Sequence, residues 1–398
     1  HLIILSPEQS KPSLTKSFSS HIMSTKPTIF IIGGTGAQGI PVITGLVQDG
    51  AYAVRVLTRD PNSRRAKHLL TLGPDVSLIP GTFTSEADLR AGFQGCWGAF
   101  INIDGFATGE AMETFWTYRC YELAIECGIK FYVHGNLDYG YKLGGYDARF
   151  RCGHYDGKGR MGEWILSQNA SDKKRMKAAL FTTGPYIEMA LAPFTPMAPR
   201  VEVGEASGEQ VVTWRVPLGE KGGVPHVSLD DCAYYVRWLF DNPERADGMN
   251  LAVAVDHIHY SEVASAFEKV TGRKAKHVDV DLETYFSTGH WGMTASLPTG
   301  YTVDSKSPAL MSLKDNFTGF WRLWQGSGSN QGVVKRDYAL LDEIHPNRIK
   351  SVEEFFRREN EKAKADGRGS LWEAVDNARP ILKIHEDGSL RSAQKGRM

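Results

Sequence analysis

One short stretch constrains this chain more than any other: Gly33-Gly34-Thr35-Gly36-Ala37-Gln38-Gly39, directly after the apolar run Thr28-Ile29-Phe30-Ile31-Ile32. A nearly continuous apolar run of that length reads as a strand buried on both faces, the kind found in parallel sheets. Gly33, Gly36 and Gly39 fit G-x-x-G-x-x-G, while Gly34, Gly36 and Gly39 fit G-x-G-x-x-G. Glycine serves there for a tight turn, for close approach of a pyrophosphate, and for packing the next helix on the strand. Backbone N–H groups at the start of that helix then face the phosphate oxygens. Pro41 costs nothing in a first turn, where its missing N–H has no intrahelical partner. The spacing predicts a strand, a phosphate-holding loop that includes Thr35, Ala37 and Gln38, and a helix over about 38–49.

The alternation continues. Strands are expected at 54–57, 76–79, 98–102, 130–134 and 178–182, with helices over 62–71, 85–93 and 110–127, the last capped by Gly128. Strands alternating with helices predict right-handed βαβ units and a doubly wound parallel sheet. After Pro185 the rhythm changes. Residues 210–216 read as an antiparallel strand, followed by helix 229–241, strand 249–255, helix 260–271 and strand 275–280. Gly326-Ser327-Gly328-Ser329-Asn330 has the composition of a flexible loop, and Ser351 opens a last helix with Glu354 at the capping-box spacing. The expected class is α/β, a doubly wound parallel sheet with a smaller C-terminal α+β substrate region. The boundaries read as a disordered or expression-derived leader (1–26), a nucleotide domain (27–192), a substrate region (193–362, with segments returning to the sheet) and a peripheral tail (363–398).

Composition narrows the partners. The 398 residues carry 46 Lys+Arg against 46 Asp+Glu, and this balance argues against nucleic acid, whose phosphates call for a basic excess. No apolar run reaches the roughly 18 residues of a membrane span. Leu2-Ile3-Ile4-Leu5 is too short for a signal-peptide core. Five scattered cysteines without a C-x-x-C pair are neither a disulfide framework nor a zinc site. Together these point to a cytoplasmic, or cytoplasmic and nuclear, protein with no resident metal.

The end of the second strand selects the nucleotide. An acidic residue there accepts from the ribose hydroxyls of NAD, whereas arginine suits a 2′-phosphate. Here Arg59 stands at the strand end with Arg64 and Arg65 close behind, so NADP(H) is favoured, although Asp60 follows directly.

With these motifs the sequence resembles the NmrA-like family of atypical short-chain dehydrogenase/reductases over roughly residues 27 to 362. The marks are the loop Gly33–Gly39, Val54-Arg55-Val56-Leu57-Thr58-Arg59-Asp60-Pro61, His154-Tyr155-Asp156-Gly157-Lys158-Gly159-Arg160, Gly184-Pro185-Tyr186-Ile187-Glu188-Met189 and Glu343-Ile344-His345-Pro346. The resemblance implies a Rossmann domain, a dinucleotide cofactor, and either a reductase or a regulator that binds dinucleotide without turnover. Thr82 stands where relatives carry an Asp toward adenine, and His154-x-x-x-Lys158 stands where short-chain dehydrogenases carry Tyr-x-x-x-Lys.

Hydride transfer to a carbonyl builds negative charge on oxygen, which calls for a donor or cation within reach. Lys158 is the candidate general acid or charge stabiliser. His154, four residues before it, shares its helix face. Tyr155 and Asn136 complete the catalytic candidates, Asn136 at the position of a substrate-polarising Ser. Pro185 and Tyr186 are candidates to line the nicotinamide side, and Lys158 also to hold its ribose. His257 and His259 lack a third ligand and read as structural. Trp291, Phe317, Phe320, Trp321 and Trp324 read either as core or as the floor of an apolar pocket. Two functions follow: an NADPH-dependent reductase acting on a medium-sized, partly apolar carbonyl or conjugated substrate, or an NADP(H) sensor that engages a regulatory protein.

Overall fold

The computed structural model describes residues 26–204, 208–289, 291–300, 303–376 and 380–383. The leader assignment therefore lies almost wholly outside the described residues. Six strands form in the order the pattern requires: β1 (Thr28–Ile32), β2 (Ala53–Thr58), β3 (Val76–Pro80), β4 (Gly98–Ile101), β5 (Phe131–Leu137) and β6 (Lys177–Thr183). Between and after them run α1 (Gly39–Val47), α2 (Arg64–Leu70), α3 (Glu86–Phe93), α4 (Gly105–Glu126), α5 (Gly140–Leu143) and α6 (Gly153–Asn169). The C-terminal half adds β7 (Arg200–Val203), β8 (Gln210–Val216), β9 (Val224–His226), α7 (Leu229–Asp241), β10 (Asn250–Ala252), β11 (Asp256–Ile258) and β12 (Ala275–Asp279).

The main sheet has the order β10-β6-β5-β4-β1-β2-β3, and every adjacent pair is parallel. Strand order reverses between β1 and β4, so the crevice beyond their C-terminal ends is where a Rossmann sheet receives a ligand. Both faces of the sheet are covered, which is why its strands are apolar runs rather than alternating ones. On one face α1 and α7 close over Val42, Ile43, Leu46, Val236 and Leu239. On the other, α3, α4 and α6 bury Leu89, Phe93, Leu123 and Ile165.

The C-terminal half is split. The run expected as a single strand over 249–255 gives β10, which joins β6 on the main sheet. The chain then turns into β11, which pairs antiparallel with β9. β8 is antiparallel to β7, as expected, and also parallel to β12. A third core built around Trp214, Phe267, Trp321, Trp324 and Phe356 holds this half together. The five aromatics of 291–324 are thus packed in core, between 0 and 6 % exposed.

Gly326–Asn330 is not a flexible loop. A Cβ at Gly328 would lie 1.8 Å from the Lys221 carbonyl, and buried Ser327 donates to Leu323 O at 2.7 Å while accepting from Val334 N. Glycine is there for close backbone approach. Among the described residues no helix is long and apolar enough to cross a membrane, and no group of side chains is arranged to hold a metal. All five cysteines are unpaired, with Cys96, Cys120, Cys152 and Cys232 buried.

Candidate functional site

The glycine loop is built by steric exclusion. Gly33 has φ +85°, and a Cβ on it would come within 2.4 Å of Asn102 O. At Gly34 a Cβ would strike Val56, and at Gly39 it would lie 2.2 Å from Gly33 O. These three glycines are explained by the chain's own packing. Gly36 differs, because a Cβ there would meet only Gly33 O, at 3.1 Å. The missing side chain at Gly36 therefore leaves room for a group from outside the chain. Behind it α1 begins with no side-chain cap and no acidic residue in its first turn, so the positive end of its dipole faces the loop uncompensated.

The loop is wired to Lys158. Buried Gln38 accepts from Asn102 Nδ2 at 2.8 Å, and Asn102 Oδ1 accepts from Lys158 Nζ at 3.1 Å. Lys158, 9 % exposed, also donates to Ile103 O at 2.6 Å and pairs with Glu113 at 2.8 Å. Its ammonium thus has two hydrogen-bond acceptors and, in Glu113, an ion-pair partner whose buried oxygens accept no hydrogen bond among the described residues. Glu113 is 1 % exposed; burial raises its carboxyl above the usual range, and the Lys158 charge pulls the other way. Gly105 makes room for it, since a Cβ there would lie 2.2 Å from Glu113 Oε2.

His154 lies one helical turn before Lys158 on α6. Its ring packs against Phe106, Phe317 and Phe320, with centroids 4.5, 5.7 and 6.0 Å away. Asn316, wholly buried, accepts from the His154 backbone N–H through Oδ1 and places Nδ2 2.9 Å from Nδ1. Asn316 Oδ1 also lies 3.1 Å from Nδ1 and Cys152 Sγ 3.3 Å from it, so this ring nitrogen is enclosed by polar groups. Burial lowers the imidazole to about 4, so it is neutral near pH 7.

The remaining candidates separate. Tyr155 is 2 % exposed among Phe320 and Trp324, and burial pushes its phenol well above the usual range. Asn136 donates to Thr182 Oγ1 at 2.8 Å across β5 and β6, while its Oδ1 is buried against Gly162 of α6 without a hydrogen-bond partner among the described residues. Pro185 O accepts from Val227 N, and half-buried Tyr186, just beyond β6, bridges to Val227, with burial raising its phenol above the usual range. Thr82 is held in a local turn by Asp88 and Thr84. Arg59 is exposed at the end of β2, and Arg64 is exposed at the start of α2. The Asp60 carboxylate turns back to accept from Asn62 N at 2.9 Å. Arg65 is buried and donates to Thr35 O. His257 and His259 reach different partners, Tyr338 with Val334 O and Ser261 with Gly219 O, as structural histidines do.

Sequence reasoning missed Asn102, Glu113 and Asn316. Glu113 had a visible signal, a carboxylate at helical spacing from Thr117, Cys120 and Ala124, with which it shares the buried face of α4. Asn316 had none, being 162 residues from its partner.

The profile of the NmrA-like family matches residues 25–308. The chain belongs to this family. Among its NmrA-like relatives, an oxidoreductase of Aspergillus hancockii is 27 % identical over 271 residues, covering 67 % of this chain and 78 % of the relative. The fold is shared with NmrA, a negative transcriptional regulator solved in complex with NAD (TM-score 0.62, 16 % identity, covering 86 % of this chain and 98 % of that one). It is also shared with an NADPH-dependent quinone oxidoreductase from Escherichia coli (TM-score 0.57, 16 % identity, 82 % and 98 % covered).

Proposed function

We propose that the protein is an NADPH-dependent reductase acting on a medium-sized, partly apolar carbonyl or conjugated substrate. The observation that carries this reading is the chain Gln38–Asn102–Lys158–Glu113, which links a phosphate-shaped loop to a buried ammonium at the switch point of the sheet. Exposed Arg59 and Arg64 favour the 2′-phosphorylated dinucleotide, and Asp60 is occupied within its own turn. The oxidoreductase relative and the NADPH-dependent neighbour support the same choice.

Bound in this crevice, the dinucleotide supplies the hydride. Lys158 acts chiefly through its field, stabilising negative charge as it builds on the substrate oxygen. To serve as general acid it must first release an acceptor, and Asn102 Oδ1 at 3.1 Å is the longest of its contacts. His154, neutral near pH 7 and one helical turn from Lys158, is the second group at the site that carries a transferable proton. Partly buried Phe106, its ring 4.5 Å from that of His154 and stacked on core Phe317, offers the apolar wall that a hydrophobic substrate needs.

The engagement of Lys158 with Asn102, Ile103 O and Glu113 favours a second reading, a dinucleotide sensor that engages a regulatory protein without turnover. NADPH oxidation with a panel of ketones and enones, wild type against Lys158→Ala, separates the two. The reductase reading expects turnover in the wild type and a loss of about 100-fold or more in the variant, with NADPH still bound. Tight NADPH binding without turnover of any substrate would replace it with the sensor.

A further inference from the structure

Residues 380–383 return to the glycine loop from the far end of the chain. Arg65, 6 % exposed, fastens the two together: its guanidinium donates to Thr35 O at 3.2 Å and to Ile381 O at 2.7 Å. Two residues further on, Lys383 Nζ donates to Thr35 Oγ1 at 2.9 Å. The C-terminal segment thus forms a strap across the loop, with Arg65 as its buckle and an ammonium seated on the loop's one hydroxyl.

We propose that Lys383 is a further cofactor-binding residue, which ligates the 2′-phosphate of NADP(H) together with Thr35 and Arg59. The proposal rests on the NADP(H) reading above. Three observations converge on that phosphate rather than on the pyrophosphate. The Rossmann pattern would set a pyrophosphate against Gly36 and the start of α1, whereas Lys383 sits on Thr35, the residue held by Arg65 of α2. Arg65 belongs to the segment just beyond β2, and the tip of β2 is where a Rossmann fold reads the ribose. Arg65 itself is committed to two backbone carbonyls, so the cation it would have offered from this corner is supplied by the strap instead. A phosphate oxygen is a stronger acceptor for an ammonium than a hydroxyl is, and Lys383 Nζ already stands at the hydroxyl of Thr35. The strap lies beyond the residues that the family profile matches, which end at 308.

The test is equilibrium titration of the full-length chain with NADPH and with NADH, followed by intrinsic fluorescence, for wild type, Lys383→Ala and Lys383→Arg. Lys383→Ala should weaken NADPH binding by about 5- to 20-fold and NADH binding by less than about 2-fold, with Lys383→Arg close to wild type. Unchanged NADPH affinity in Lys383→Ala would overturn the proposal. So would equal losses for both nucleotides, which would make the strap a structural clamp, or tighter NADPH binding, which would make it a competitor. A wild-type chain that binds no NADPH would instead remove the cofactor reading, and the role of Lys383 with it.

Discussion

A methyl group added at Gly39 would sit 2.2 Å from Gly33 O and 2.6 Å from Gly34 Cα, both rigid backbone, whereas one added at Gly36 would touch only Gly33 O at 3.1 Å. The two glycines therefore fail differently. Gly39→Ala should cost about 1–3 kcal/mol of stability through overpacking, read as a lowered Tm with or without nucleotide. Gly36→Ala should keep a near-native Tm and weaken dinucleotide binding by about 10-fold or more, because its methyl fills the space a phosphate needs. Matching Tm losses in the two variants would sink the distinction. The glycine pattern was legible in the sequence, yet the division of labour within it was not, since it depends on what Asn102 and Val56 place against the loop. The same holds for the active-site candidates. The four-residue spacing of His154 and Lys158 is local and readable. Asn102 lies 56 residues from Lys158 and Asn316 lies 162 from His154, and hydrogen bonds across such distances leave no periodic trace.

Elements were read best where a cap and a period agree. The helices expected over 229–241 and 260–271 have those bounds in the structure, the second closed by Gly272 at φ +69°. α4 was read from Glu110 because its first turn is set off by a break at Gly109, φ +72°, which interrupts the amphipathic pattern. What no local pattern reveals is a side chain arriving from elsewhere to serve a helix. Glu188, 41 residues before it, accepts from Leu229 N at 2.9 Å in the first turn of α7, while its other oxygen is buried without a hydrogen-bond partner among the described residues. The helix dipole favours the carboxylate, but burial opposes it and raises the group to about 8. An acid raised in the folded state binds its proton more tightly there than in the unfolded chain. Its contribution is greatest below the ordinary value of 4.5 and is lost as pH climbs through 8. Glu188→Gln keeps the acceptor and removes the charge. Its Tm should match wild type near pH 4.5 and exceed it by a margin that grows up to pH 8 and then levels. A difference independent of pH would show that Glu188 does not titrate in this window.

At the scale of the whole molecule, the alternation of strands and helices predicted the doubly wound sheet, but not that β10 closes its edge or that β11 leaves it four residues later. That crossing ties the two halves together, and the buried histidines are distributed across the same division. His134 lies on β5 and His154 on α6, in the N-terminal half, while His226 on β9 and His257 on β11 lie in the other. Burial is the leading cause of each shift, lowering His134 to about 3 and His154, His226 and His257 to about 4. An unfolded chain takes up these protons near pH 6.5, well before the folded one does. Stability from these groups is therefore fully present above 6.5 and is lost progressively as pH falls toward 4. Raised carboxyls run the opposite way, Glu188 between 4.5 and 8 and buried Glu113 and Asp156 above their ordinary values, while His277 is lowered with the other four imidazoles. Because the histidines sit in both halves, which share a sheet and a covalent crossing, acid should weaken the molecule as a unit. Urea midpoints should fall steadily from pH 6.5 to 5, a range above the titration of ordinary carboxylates. Tryptophan fluorescence and far-UV circular dichroism should give the same midpoint at each pH. A flat profile between 6.5 and 5 would mean that these imidazoles are protonated in the folded chain, and two separated transitions would mean that the halves unfold independently.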